Sequence, residues 1–136
     1  MPIVTTIEGR IAQVAIDRPE KRNTLSSELC KDLAREFLEL NDDTRVRSIV
    51  LCGHNNVFCA GLDIEEQLAE NTPIFNEFQK VIDALDALSK PVVAAVSGPA
   101  VSQGAAMLYH CDLVFAGEHA LFSMPGLALG QPPRYG

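Results

Sequence analysis

Residues 92–112 read VVAAVSGPAVSQGAAMLYHCD. Five apolar residues, Val92 to Val96, end at Ser97-Gly98-Pro99, and a run of small residues, Ser102-Gln103-Gly104-Ala105-Ala106, leads into a further apolar stretch. A short β-branched run bounded by glycine and proline reads as a strand covered on both faces, as in a parallel sheet. The small residues predict a helix beginning near Gln103. The first N–H groups of a helix have no partner inside it. A strand, a glycine turn and a helix start therefore present backbone donors rather than a reactive side chain.

The flanking segments extend the same pattern. Ile3–Ile7 and Ile11–Ile16 read as two strands joined by a tight hairpin at Glu8-Gly9-Arg10. Arg18 to Asn23 is a polar loop. Ser26 suits a helix N-cap, with Glu28 in the first turn. Leu29, Leu33, Phe37 and Leu40 follow at helical spacing, with Cys30, Ala34 and Leu38 beside them. Val46–Cys52 is a strand. Thr72-Pro73 opens a second helix, with proline at its first position and Phe75, Phe78, Ile82 and Leu85 on one face. Lys90-Pro91 stops that helix, and Leu113–Ala116 is another strand. The order β-β-α-β-α-β-α-β implies an α/β fold with parallel pairing. No linker, repeat or low-complexity tract divides the 136 residues, which are expected to form one domain, 1–136.

Charge and cysteine usage narrow the function classes. Eleven Lys and Arg against 18 Asp and Glu give a net charge of −7. Such a surface repels nucleic-acid backbones and anionic membranes, so neither is an expected partner. No apolar run is long enough to span a bilayer, and MPIVTTIEGR does not read as a signal peptide. Cys30, Cys52, Cys59 and Cys111 show neither a CxxC pair nor a regular framework, which fits reduced thiols and a cytoplasmic location. His54, His110 and His119 have no metal-ligand spacing, so no metal site is expected.

Two stretches carry candidate chemistry. Phe58-Cys59-Ala60-Gly61-Leu62-Asp63 follows a strand and a polar loop, and its small-Gly-x-Asp turn leaves the Leu62 N–H outside any ladder. The second is the helix start at Gln103. Two N–H groups converging on one point bind the negative oxygen of an enolate or a tetrahedral adduct. Taken singly, Gly61, Gly98 and Gly104 are more often turn or packing residues.

Together these stretches resemble the N-terminal half of a crotonase, the enoyl-CoA hydratase/isomerase superfamily. The likeness is carried by Asp17-Arg18-Pro19-Glu20-Lys21-Arg22-Asn23-Thr24-Leu25, Phe58–Asp63, Lys90–Gly98 and Cys111–Ala116, in the family's order. Gly98-Pro99-Ala100-Val101, Ala105, Leu108, Cys111–Val114 and Leu129-Gly130-Gln131 are similar to peroxisomal Δ3,Δ2-enoyl-CoA isomerases and the crotonase-like domains of chromodomain Y proteins. The resemblance implies a crotonase (ClpP-like) fold, with repeated ββα units in a spiral core and the C-terminal half absent. It makes the Leu62 and Gln103 N–H groups the oxyanion donors, with Ala60, Gly61, Asp63, Ile64 and Gly104 lining the acyl thioester and pantetheine. Arg18, Lys21 and Arg22 would meet the nucleotide phosphates, although a solvated loop is an equally good reading. The ligand implied is acyl-CoA, with no further cofactor. The assembly implied is a homo-oligomer, a trimer or dimer of trimers.

The departures concern the proton-transfer groups. The positions of the two hydratase glutamates are Ala106 and Gly126, and that of the isomerase glutamate is Arg134. Hydration and isomerisation both need a base; an alanine and a glycine have none, and arginine stays protonated. Among substitutes, Asp63 reads mainly as structural and Asp112 as a hydrogen-bonding residue. Cys59 reads as a small packed thiol, and His110 as a partly buried, satisfied residue. The expectation is an acyl-CoA-binding enoyl-CoA hydratase/isomerase relative that stabilises a thioester enolate. An inactive acyl-CoA-binding or assembly module is the alternative. Thioester hydrolysis by a positioned water is a weaker third.

Overall fold

The computed structural model describes residues 2–132. Strands β1 (Ile3–Glu8) and β2 (Ile11–Ile16) form the expected antiparallel hairpin, which turns at Gly9 with φ 62°. Beyond β2 the pairing is parallel, through β3 (Ser48–Gly53), β4 (Val92–Val96) and β6 (Leu113–Ala116), giving the order β1-β2-β3-β4-β6. Parallel neighbours need crossovers. Helix α1 (Ser27–Asp42) joins β2 to β3, and α2 (Ile64–Leu68) with α3 (Ile74–Ala87) joins β3 to β4. Ser26 caps α1 by accepting the Leu29 N–H at 3.1 Å. At α3 the proline occupies the cap position rather than the first turn, and Thr72 Oγ1 accepts the Ile74 N–H at 3.3 Å.

Register explains the core. Ala12, Ile49 and Val92 lie side by side across the sheet, as do Val14, Leu51 and Ala94. These rows are buried and form one apolar cluster with Leu29, Leu33 and Phe37 of α1 and with Phe78, Val81 and Leu85 of α3. Burial of each of the valine, leucine, isoleucine and phenylalanine side chains among them contributes roughly 1.5–3 kcal/mol. Two sequence expectations change here. Leu38 is 52% exposed, because it lies off the α1 stripe that meets α3. The strand Val92–Val96 is not covered on both faces: Val92, Ala94 and Val96 are buried, whereas Val93 and Ala95 are only half-buried. Strand β6 is exposed along its whole length, with Phe115 at 66%.

A second, two-stranded sheet pairs β5 (Pro99–Val101) with β7 (Leu121–Ser123) in parallel. Cys59 bridges to Ala100, and Leu25 to Leu62, so the loop after β3 is stitched to β5 on one side and to the loop before α1 on the other. Helix α4 (Gln103–Ala106) starts at the expected residue but runs for one turn before tightening into a 3-10 turn, Met107–His110. Helix α2, β5, β7 and the 3-10 turns Pro19–Lys21 and Pro125–Leu129 were not expected from sequence.

Candidate active site

Two turns meet beside the small sheet. In the first, Leu25 N–H donates to Gly61 O and Asp63 N–H donates to Leu25 O, both at 2.8 Å. Strand-like residues alternate their polar groups, so the Leu62 N–H points away from Leu25. It has no acceptor among the described residues, and Leu62 itself is 2% exposed. Gly61 sits at φ 106°, a conformation that favours glycine. A Cβ there would meet Val101 O at 3.2 Å, Ser102 Cβ at 3.3 Å and Gln103 Oε1 at 3.4 Å.

The second turn is Val101–Ala106. Val101 N–H donates to Cys59 O at 2.9 Å, and Ser102 N–H to Ser123 O at 2.8 Å. Ser102 adopts φ 55°, ψ −121°, strained for a residue with a side chain. The Gln103 N–H, first of α4, also has no acceptor among the described residues. Gly104 fixes the distance between the turns, since a Cβ there would lie 2.1 Å from Cys59 O. Two backbone N–H groups without an acceptor among the described residues thus lie on turns in backbone contact.

The surrounding side chains divide by task. Asp63 is 7% exposed and caps α2, accepting the Glu65 N–H at 3.1 Å and the Glu66 N–H at 3.4 Å. Its other oxygen accepts from Arg18 Nη1 at 3.3 Å, and Arg18 also donates to Thr24 O at 3.1 Å. Arg18 therefore faces inward instead of presenting its charge to solvent. Lys21 and Arg22 remain the exposed cations of the loop, Lys21 lying 3.4 Å from Glu65. Ala60 is half-buried, with its N–H on Arg22 O at 3.2 Å. Ile64 is 68% exposed on α2, and Leu68, one turn further on, is 81% exposed.

Several contributors escaped the sequence reading. Asn23 is fully buried; its Oδ1 accepts the Arg18 N–H at 2.7 Å, and its Nδ2 donates to His54 O at 2.9 Å and Val57 O at 2.7 Å. This carboxamide ties the 18–25 loop to the segment leading into the first turn. Its one sequence signal is an asparagine in a turn, where a φ of 58° is tolerated. Glu66 accepts from both the backbone N–H and the hydroxyl of Ser27, anchoring α2 to the start of α1.

The expected proton-transfer positions behave as follows. Ala106 is 1% exposed and carries only a methyl. Gly126 has ordinary contact distances around a would-be Cβ, the nearest atom being Gln131 Cβ at 3.5 Å. Arg134 lies outside the described residues. Cys59 is fully buried, accepts the Gly61 N–H at 3.4 Å, and is pushed up to about 12 by burial. It stays a thiol at neutral pH and is no nucleophile. Asp112 accepts the Val92 N–H at 2.7 Å, a strand-pinning role. His110 lies 2.7 Å from Asp86, and His54 lies 3.4 Å from Asp17. No helix among the described residues is long and apolar enough to cross a membrane.

A mostly parallel α/β sheet, with the two turns that follow β3 and β5 brought into backbone contact, defines a crotonase-fold protein. The chain belongs to the enoyl-CoA hydratase/isomerase family, whose sequence model matches residues 6–136. It is 34% identical over 139 residues to the short-chain-enoyl-CoA hydratase of Clostridium acetobutylicum, covering 98% of this chain and 53% of that relative. It is 32% identical over 136 residues to the 2,3-dehydroadipyl-CoA hydratase of Escherichia coli, with shares of 98% and 53%. The crystal structure of an enoyl-CoA hydratase/isomerase from Pseudoalteromonas atlantica superposes with a TM-score of 0.90 at 32% identity, over 99% of this chain and 54% of that one. The chain thus spans about half the length of these relatives.

Proposed function

We propose that the chain binds an acyl-CoA thioester with its carbonyl oxygen between the Leu62 and Gln103 N–H groups, and that any chemistry passes through the enolate such a pair stabilises. The supporting observation is the two acceptor-free N–H groups on turns locked together at Gly61 and Gly104. Removing one donor from such a pair typically costs about 10²–10³-fold in rate. Family membership supports the thioester as ligand. Gly61, Gly104 and Ala60 form the wall beside the thioester, and Ile64 with Leu68 offers the pantetheine an apolar surface. Lys21 and Arg22 meet the nucleotide phosphates. Arg18 acts indirectly, holding Asp63 and so α2. The coenzyme A thioester is the only small molecule this chemistry requires.

A second reading, binding without ordinary hydratase turnover, is favoured by Ala106 and Gly126, which supply no acid or base at the positions where the resemblance places them. Calorimetry with butyryl-CoA and a crotonyl-CoA hydration assay on the full chain test both. Saturable binding is expected, with hydration at least about 10²–10⁴-fold below an ordinary hydratase, the usual cost of one missing acid or base. Absence of saturable binding by folded protein overturns the proposal. Hydration at an ordinary rate overturns the second reading.

A further inference from the structure

The polar side chains of the two donor turns are few. Cys59 is buried and uncharged at neutral pH, and Asp63 is committed to α2 and Arg18. That leaves Ser102 and Gln103, a hydroxyl and a carboxamide, both half-buried. Ser102 Oγ and Gln103 Oε1 are 2.7 Å apart, so the hydroxyl donates to the amide oxygen. The amide oxygen lies 3.4 Å from where a Cβ of Gly61 would stand, which sets the carboxamide over the turn carrying the Leu62 N–H. With its oxygen engaged by Ser102, Gln103 has its Nε2 donors remaining, and they have no acceptor among the described residues. Ser102 holds this geometry from a strained backbone pinned by its N–H to Ser123 O and by its own carbonyl to the Ala106 N–H.

We propose that the Gln103 carboxamide, oriented by Ser102, donates a hydrogen bond to an oxygen on C3 of the acyl group and makes the site prefer 3-oxoacyl thioesters over saturated ones. The inference rests on the thioester placement proposed above. One residue then contributes a backbone donor to the C1 oxygen and a side-chain donor to the C3 oxygen, two positions along the same short chain. A saturated acyl group laid against the carboxamide offers it no acceptor, and a polar group covered and left unmet disfavours that ligand.

Calorimetry on the full chain with acetoacetyl-CoA and butyryl-CoA tests it in the wild type, Gln103→Leu and Ser102→Ala. Wild type is expected to bind acetoacetyl-CoA about tenfold more tightly, the effect of one well-made neutral hydrogen bond. The ratio should fall close to one in Gln103→Leu and to an intermediate value in Ser102→Ala. Equal affinities in the wild type overturn the inference while leaving thioester binding intact. So does a preference that survives in Gln103→Leu, since the backbone pair alone would then be reading the ligand. Failure of both thioesters to bind the wild type overturns the underlying placement as well. The wild-type comparison decides even if a variant does not fold.

Discussion

Gly104→Ala should unlock the two donor turns. A Cβ at 104 would lie 2.1 Å from Cys59 O, 2.8 Å from Cys59 C and 2.9 Å from Cys59 Cβ. Ordinary contact begins near 3.4 Å, so backbone must move by more than an ångström. The nearest relief separates the 59–62 turn from β5 and strains the Val101 N–H to Cys59 O bond, now 2.9 Å, and the Cys59 N–H to Pro99 O bond, now 3.2 Å. Overpacking costs roughly 1–3 kcal/mol, and two weakened backbone bonds add about 1 kcal/mol each. The expected loss of about 3–5 kcal/mol is a large part of the roughly 5–15 kcal/mol that holds a domain together. Gly117→Ala is the control. There the nearest atom to a would-be Cβ is Val96 O at 3.7 Å, φ is not positive, and the change should stay within about 0.5 kcal/mol. Urea unfolding of the two variants measures the contrast, and butyryl-CoA titration should show the affinity of Gly104→Ala falling by about 10²-fold or more, since ångström misplacements have that effect. A Gly104→Ala protein as stable as Gly117→Ala, with unchanged binding, would refute the close approach of the turns.

Three further outcomes follow from the same structure. Asn23→Ala leaves the Arg18 N–H and the His54 and Val57 carbonyls without their partner, and urea unfolding should record a loss of about 2–4 kcal/mol; a loss under 0.5 kcal/mol would mean the loop holds itself. Burial raises the Cys59 thiol from 9.0 to about 12, so above pH 9 the unfolded chain releases a proton that the folded chain keeps, and stability should fall with pH by up to about 1.4 kcal/mol per unit for each such thiol. Urea midpoints between pH 8 and 10 should fall less steeply in Cys59→Ala than in the wild type, and identical slopes would count against the buried thiol. Strand β6 exposes Leu113, Val114 and Phe115, and β7 exposes Leu121 and Phe122, and clustered exposed apolar residues of this kind mark an association surface. The 136-residue chain should therefore scatter light as a homo-oligomer, with closed symmetry such as a trimer; a monodisperse monomer with a cooperative melt would contradict this.

Local chemistry made much of the scaffold legible. The β1–β2 hairpin, the Ser26 cap and the α1 stripe need only neighbours in sequence, and each lies within a residue or two of its expected place. The Leu62 and Gln103 turns were visible as small-residue runs, although the acceptor-free N–H groups became apparent only with the neighbouring bonds in view. What stayed hidden depends on contacts distant in sequence. Strands β5 and β7 are three residues long and exist by pairing with each other. Helix α2 is five residues, too short for a period, and is held by Asp63 and by Glu66 on Ser27. Arg18 looked like a solvent-facing cation because its partner, Asp63, is forty-five residues away. Val93 and Ala95 carry a core composition, but the second face of the sheet is open beside β6, so composition overstated their burial.

The most direct measurement is the infrared difference spectrum of butyryl-CoA bearing a heavy-isotope label at the thioester carbonyl carbon. Two fixed N–H donors aimed at one oxygen polarise that carbonyl more than water does, so its stretching frequency should drop on binding. Saturable binding with an unshifted or raised frequency would contradict an oxygen held between Leu62 and Gln103.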